Sequence, residues 1–246
     1  MKTTRPTRPL FYADWDDVLM IHLEVDPVAL QKHVPFPLDL WEGKAYVGLV
    51  AFTMRGMRLA YGGRWTAFLT APLATHPFLN VRTYVEVDGE KGIHFLAEWL
   101  PNRLSVWLGP STYGLPYRRG RLAYRHHPEG GAGQGRVEDH RSGDCLIYQT
   151  DPDPAPILLA PAAPGGAVHF LWERYRAFHR RGRHLRCFAV EHQPWAMSPL
   201  PISLEETNLL VRRWPLFAEA RVAFSHHSPG LRKVTMGVPS RRRLAA

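Results

Sequence analysis

The chain has 246 residues, 45% of them hydrophobic, and 31 basic against 22 acidic residues give a net charge of +9. That length can bury a full core, and as mainly β structure it fits a single domain over 1–246. No apolar run approaches the ~18–20 residues of a membrane-spanning helix. The opening MKTTRPTRPLFYADW is basic without a signal peptide's apolar core. Two cysteines make no disulfide framework, so the expected setting is the reducing cytoplasm, with no membrane partner. The positive charge admits nucleic acid or anionic small molecules as partners, although arginine-rich base composition produces the same excess.

The 22 prolines predict many short elements. Residues 1–14 read as a loose arm, and Val18–Val25 as a strand. Asp26-Pro27 then caps a short helix. Lys44–Met57 is apolar enough to be a strand buried on both faces, and residues 58–77, with Tyr61, Gly62, Gly63 and Trp65, form a loop. After a hairpin at residues 80–100, Asn102 caps a helix that Pro110 interrupts and Gly114 closes. Tyr117–His126, Arg136–His140 and Cys145–Thr150 read as strands. Glu129–Gly135 is a flexible turn without phosphate-loop context, and Asp151–Gly166 a surface connection. Val168–Arg181 predicts a helix, with Leu171, Tyr175 and Phe178 forming one stripe. His184–His192 is a strand and Ile202–Leu204 a short one. A helix over Glu205–Arg213 and a last strand at Arg221–Ser225 follow. Residues 240–246 read as a disordered basic tail.

The hairpin organises the chain. Asp88-Gly89 suits a two-residue type I′ turn. On Val81–Val87, Val81, Thr83, Val85 and Val87 face one way, and Arg82, Tyr84 and Glu86 the other. The turn then sets Glu86 opposite Lys91, Tyr84 opposite Ile93, Arg82 opposite Phe95 and Asn80 opposite Ala97. Arg82 would share a face with Tyr84, Ile93, Phe95 and Trp99, while Glu98 joins His94 and Leu96 on the other. An arginine so placed is paired internally, snorkels to water or awaits an anion.

Recognisable chemistry is sparse. The 13 histidines include no H-E-x-x-H, so they read as scattered surface residues with no metal site. No G-x-S-x-G elbow is present, no cofactor motif is evident, and Cys145 and Cys187 read as small buried residues. Glu98, Glu173 and Glu191 with His192 are acid–base candidates, each with a structural ion pair as the plainer reading. Arg118–Arg125 and Arg174–Arg186 carry interleaved aromatics, but no nucleic-acid module is recognisable, so nucleic acid is the weaker alternative partner.

Val25-Asp26-Pro27-Val28-Ala29-Leu30 with Val34-Pro35 resembles the opening segment of the acetoacetate decarboxylase-like superfamily. NVRTYV followed by Gly114-Leu115-Pro116-Tyr117 resembles its uncharacterised YqjF-like branch. So do Phe170-Leu171 with Glu173-Arg174-Tyr175, Pro194-Trp195 and Ser228-Pro229-Gly230. The motifs keep family order from Trp15 to Gly230. The resemblance implies a mainly β (α+β) fold, an antiparallel barrel-like sheet with short flanking helices and an interior cavity. In acetoacetate decarboxylases the Gly-x-Pro turn precedes two lysines. One forms an imine with the substrate ketone and the other lowers its pKa. Here Tyr117 and Arg118 stand in those places. The decarboxylase arginine near the first strand has no match, Glu24 lying nearest.

The resulting expectation is a cavity for a small anionic or carbonyl-bearing molecule, without imine chemistry. Asn80, Arg82, Tyr84, Tyr117 and Trp195 are its expected ligand-binding residues. The alternatives are an acid–base lyase or hydratase using Tyr117 with Glu98 or Glu173, and a basic nucleic-acid-binding protein. A homo-oligomer is compatible with either.

Overall fold

The computed structural model describes residues 8–61, 70–126, 133–151 and 159–243. The first four strands are β1 (Pro9–Val25), β2 (Ala45–Leu59), β3 (His76–Val87) and β4 (Glu90–Leu100), and each pairs antiparallel with the next. Then come β5 (Tyr117–Arg125), β6 (Gln134–Asp139), β7 (Cys145–Thr150), the two-residue β8 (Ala160–Pro161), β9 (Arg176–Arg181) and β10 (His184–Glu191). β11 (Ala196–Pro199), β12 (Ile202–Glu206), β13 (Arg221–Gly237) and β14 (Ser240–Arg243) complete the strands. The α-helices are α1 (Pro27–Gln31), α2 (Arg103–Thr112), α3 (Ala167–Trp172) and α4 (Asn208–Val211). Among the described residues no helix is long and apolar enough to cross a membrane.

The sheet returns on itself. β1 pairs with β13 on its other edge, β13 with β10, and β10 with β9. β9 then meets β4 in parallel at Ile93 and Ala177, closing a barrel-like ring. A branch leaves β4 further along, where Glu98 to Leu100 pair in parallel with Tyr117 to Arg119 of β5. From there β6, β7 and β12 follow antiparallel.

Two cores result, one on each face of the ring. Tyr46, Val50, Phe52 and Met54 of β2 point to the inner core, with Phe78, Ile93 and Phe188. Val47, Leu49 and Ala51 point to the outer core, with Trp99, Val137 and Leu146 beneath the branch. The continuous apolar run of β2 is therefore buried on both faces, as its composition predicts.

Several expectations fail for physical reasons. The predicted N-terminal arm is in β1 from Pro9 onward, held on both sides by Gly237 and Leu59 partners of Pro9 and Phe11. In the predicted basic tail, Ser240–Arg243 pairs with β10, and 244–246 lie outside the described residues. β13 runs through Ser228-Pro229-Gly230 instead of ending at Ser225. α2 continues past Pro110 to Thr112, its Asn102 cap accepting from the Leu104 and Ser105 amides.

The helix predicted over Val168–Arg181 stops at Trp172. Arg176–Arg181 instead pairs with β10 around Gly182, sending Ala177 to the inner core and Phe178 to the outer one. That is a strand's two-residue alternation, and Tyr175, expected on the buried stripe, is exposed. α4 is shorter than its predicted span, because β12 extends to Glu206. Gly62, Gly63, Trp65 and most of the Glu129–Gly135 turn lie outside the described residues, as do residues 152–158.

The histidines also depart from their surface reading, since His22, His76, His94, His126 and His227 are buried. Two of them hold a bulge of β1 in place. Asp17 adopts φ 52° where the β1–β2 register shifts. Its Oδ1 accepts from His227 Nε2 at 2.8 Å, and its main-chain carbonyl accepts from His126 Nδ1 at 2.8 Å. Tyr148 Oη and His126 Nε2 are hydrogen-bonded at 2.6 Å. This chain ties β1 to β13, β5 and β7.

Burial acts to raise the Asp17 pKa, but the hydrogen bonds and charges of His126 and His227 outweigh it and hold the carboxyl well below its usual range. A depressed folded-state pKa gives stability that is present above the unfolded value and lost as pH falls. Asp17→Asn is therefore expected to cost about 1 kcal/mol at neutral pH, a figure discounted because the carboxylate is part-exposed. Urea unfolding should show the gap between variant and wild type shrinking as pH drops below ~4. A gap that is constant with pH would contradict the assignment.

Candidate functional site

The inner core is incompletely filled. A cavity of about 160 Å³ lies against the inward residues of β3 and β4, and one side of α2, the end of α3 and residues of β1, β2, β10 and β13 also line it. β3 contributes His76, Phe78, Asn80 and Arg82, the even-numbered residues that the alternation turns inward. β4 contributes Ile93, Phe95 and Glu98.

That last set breaks alternation, and the cause is a β-bulge. Tyr84 pairs with Ile93 and Arg82 with Phe95, as the turn predicts, but Val81 then pairs with Ala97 and Asn80 with Glu98. Leu96 is the extra residue, and it packs with Ala97 against the outer core. Beyond it the faces exchange. Trp99, expected beside Arg82, lies in the outer core. Glu98, expected with His94 and Leu96, enters the cavity. Glu86 lies opposite Lys91 as predicted, but the Lys91 ammonium bonds Asp39 at 3.0 Å.

The charges at this end are unevenly compensated. Arg174 pairs with Asp39 at 2.7 Å and donates from Nε to the Phe170 carbonyl at 2.7 Å, leaving Nη2 without a partner. Among the described residues, Arg82 has a weak Nη2 contact to Met20 Sδ at 3.4 Å and a bond with the Tyr84 hydroxyl, and its Nε has no partner. Burial lowers the Arg82 pKa, and the Arg174 charge adds to this while Tyr84 and Glu98 oppose it. Glu98 is 3% exposed. Burial pushes its pKa up to about 8 against the pull of Arg82, so at neutral pH it is mostly protonated. Its Oε2 lacks a partner, as do Asn80 Oδ1, Trp172 Nε1 and both ring nitrogens of His76. Burial lowers the His76 pKa to about 4.

Tyr117 reaches the cavity from the start of β5. Its main chain sits beside Glu98, whose amide donates to the Pro116 carbonyl at 3.2 Å. Gly109 of α2 makes room for the ring, because a Cβ there would stand 2.2 Å from Tyr117 Cδ2. Burial raises the Tyr117 pKa well above 10, with Glu98 and Tyr113 adding to the effect, so the hydroxyl stays protonated. Arg118 pairs with Trp99 and is absent from the cavity lining.

Of the residues singled out from sequence, Asn80, Arg82, Tyr117, Trp195 and Glu98 come together around this cavity. Tyr84 does not line it, because its hydroxyl donates to the Leu171 carbonyl at 2.9 Å and meets His22 Nε2 at 2.9 Å. Glu173 is also elsewhere. It follows the last residue of α3, accepts from the Trp195 amide at 3.0 Å and bonds the Tyr175 hydroxyl. Glu24 bonds Lys44 instead. His192 lines the cavity, whereas Glu191 does not. Arg174, His76 and Trp172 were not identified from sequence. His76 and Arg82 share the parity of β3, which could have found the first. The other two depend on where α3 ends.

A ring-like β sheet around a cavity, with a parallel branch and short helices, is the acetoacetate decarboxylase-like fold. The acetoacetate decarboxylase of Legionella pneumophila subsp. pneumophila str. Philadelphia 1 superposes with a TM-score of 0.63 at 14% identity, covering 100% of this chain and 92% of that one. The enduracididine biosynthesis enzyme MppR, complexed with pyruvate, gives 0.61 at 15% identity, covering 99% and 93%. Residues 12–232 match the DUF2071 family, described as "Uncharacterized conserved protein (COG2071)", and the chain belongs to that family. It is 29% identical over 201 residues to the uncharacterized protein YqjF of Bacillus subtilis (strain 168), covering 74% of this chain and 73% of that protein.

Glu98 gives the site a measurable signature. A carboxyl whose folded-state pKa is raised contributes stability that is full below its unfolded value and lost as pH rises through the folded value. For Glu98 that window runs from ~4.3 in the unfolded chain up to about 8. Glu98→Gln is expected to stabilise the free protein relative to wild type, by an amount that grows to about 5 kcal/mol at pH 9. Thermal unfolding across about pH 5–9 checks it. Parallel stability curves would show that Glu98 is not the titrating group.

Proposed function

We propose that the inner cavity binds a small organic molecule bearing a carboxylate, and that Arg82 is its anion anchor. The carrying observation is a set of buried polar atoms without partners among the described residues, on side chains that line one cavity: Arg82 Nε, Arg174 Nη2, Trp172 Nε1, Asn80 Oδ1 and Glu98 Oε2. Such atoms are costly when left unmet, and a carboxylate or carbonyl oxygen would meet most of them. MppR, of the same fold, has been obtained with pyruvate, which supports the same ligand chemistry here. Two cysteines in 246 residues are too few for a disulfide framework, which supports a reducing, cytoplasmic setting. Titration with pyruvate is expected to bind wild type and to weaken about tenfold to a hundredfold in Arg82→Met. Equal affinity for both would remove Arg82 from the site.

The imine chemistry of acetoacetate decarboxylase is not part of this reading. Tyr117 occupies the corresponding turn, and no lysine lines the cavity among the described residues. A second reading is favoured by the adjacency of Glu98 and Tyr117, both protonated at neutral pH: acid–base catalysis of a lyase or hydratase type. In that case Glu98 gives and takes the proton, and Tyr117 polarises a carbonyl. Borohydride treatment with a keto acid is expected to leave every lysine unmodified. Any turnover should fall at least about a hundredfold in Tyr117→Phe. A trapped lysine adduct would overturn the first statement, and undiminished turnover the second.

A further inference from the structure

Most of the unpartnered polar atoms gather at the Arg82 end of the cavity, and the two ring nitrogens of His76 are the exception at the other. From Arg82, the inward positions of β3 lead through Asn80 to Phe78 and His76, each step spanning ~6.6 Å of strand. The cavity wall thus changes from guanidinium to aromatic rings over four residues, or about 13 Å. The rings form a connected surface. Trp172 meets Trp195 edge-on at 5.3 Å, and Trp195 stacks on Trp15 at 6.0 Å. Trp15 contacts Phe52 at 5.0 Å, Phe52 stacks on Phe78 at 5.3 Å with 8° between planes, and Phe78 meets Tyr117 edge-on at 6.0 Å. All six line the cavity. The wall begins at Trp172, whose indole N–H lacks a partner, and ends at Tyr117.

Volume points the same way. One ordered water needs about 10–15 Å³ of accessible volume, and the cavity offers about 160 Å³. It therefore has room for on the order of ten non-hydrogen atoms. A three-carbon keto acid would fill the polar end and leave the aromatic part exposed to water or empty. We infer that the ligand is an aryl-substituted short-chain carboxylate, with its carboxylate on Arg82 and a single ring against the Trp15–Phe52–Phe78 wall. This deepens the carboxylate reading and rests on it for the polar end. The ring end stands on the aromatic wall alone. A linear alkyl chain would gain from burial too, but a wall of aromatic rings rewards a ring by offset-stacked or edge-to-face contact.

Three lining tryptophans, Trp15, Trp172 and Trp195, provide the readout as intrinsic fluorescence, confirmed by calorimetry. The probes are 3-phenylpropanoate, hexanoate, propanoate and 3-phenylpropanol. Wild type should bind 3-phenylpropanoate about tenfold to a hundredfold more tightly than propanoate, the gain expected from burying one ring, and more tightly than hexanoate. Arg82→Met should weaken 3-phenylpropanoate about tenfold or more while leaving 3-phenylpropanol unchanged. Phe52→Leu, which keeps an apolar side chain, should shrink the phenylpropanoate-to-propanoate ratio without altering propanoate affinity. Propanoate binding as tightly as 3-phenylpropanoate, or hexanoate binding more tightly, would overturn the aryl inference and leave the carboxylate reading standing. Equal affinity of 3-phenylpropanol and 3-phenylpropanoate in wild type would overturn the carboxylate reading and keep the ring site. Binding of none of the four would overturn both.

Discussion

β4 must satisfy more neighbours than an ordinary strand, and the site follows from how it does so. One edge pairs with β3 along nearly its whole length, while the other meets β9 at Ile93 and β5 from Glu98 onward. β9 can come close only because residue 92 is glycine. A Cβ there would lie 2.6 Å from the Arg176 carbonyl oxygen and 2.6 Å from the Phe178 ring. Between these two junctions β4 has to change direction, and the bulge at Leu96 is where it does. Bulges add twist and re-aim side chains. Here the re-aiming takes Trp99 out of the interior and puts a carboxyl in. Ring closure, branch departure and the placement of Glu98 are thus consequences of one eleven-residue strand.

The free protein carries an electrostatic cost at that site. Arg174 is compensated by Asp39, and stacking of its guanidinium over Phe170 at 4.1 Å adds a cation–π contact. Arg82 has neither. The carboxyl that acts on it is Glu98, which burial keeps largely protonated at neutral pH. A buried charge without a hydrogen-bonded counter-ion is disfavoured, and the rest of the fold must hold it. β3 does so by burying nearly every residue from His76 to Tyr84 on one face or the other. An unmet charge of this kind persists only where a well-packed frame holds it.

Much of this frame was legible in the sequence. The Asp88-Gly89 turn, with φ of 53° and 77°, fixes the hairpin register, and simple alternation puts Arg82, Asn80 and Phe78 inside. The Leu96 bulge left no mark, since leucine is as ordinary at a bulge as elsewhere. Reading across it therefore reversed Glu98 and Trp99. The helix over Val168–Arg181 failed differently. Leu171 and Phe178 are both buried as their spacing suggests, but in different cores. Apolar periodicity records burial and not which core a residue joins, and pairing with β10 overrode the helical pattern. Arg174 was invisible as a site residue for that reason, because only the end of α3 at Trp172 turns it inward. The histidines were misread because nothing local distinguishes His126, held between Asp17 and Tyr148, from an exposed one.

Protonation gives the cavity a consistent character. At neutral pH Tyr117 keeps its proton, Glu98 mostly keeps its own, and Arg82, Arg174 and the Trp172 indole are donors by nature. Asn80 Oδ1 is the lone-pair exception among the unpartnered atoms of that end. A cavity supplied almost wholly with donors is complementary to a ligand whose polar end only accepts, and carboxylates and carbonyls are of that kind. A lysine at position 117 would add a nucleophile to this arrangement. Tyrosine adds one more donor, packed against Gly109 and beside Glu98. Tyr117 thus gives the start of β5 a group that donates a hydrogen bond, and the chemistry available there is set by which atom the side chain ends in.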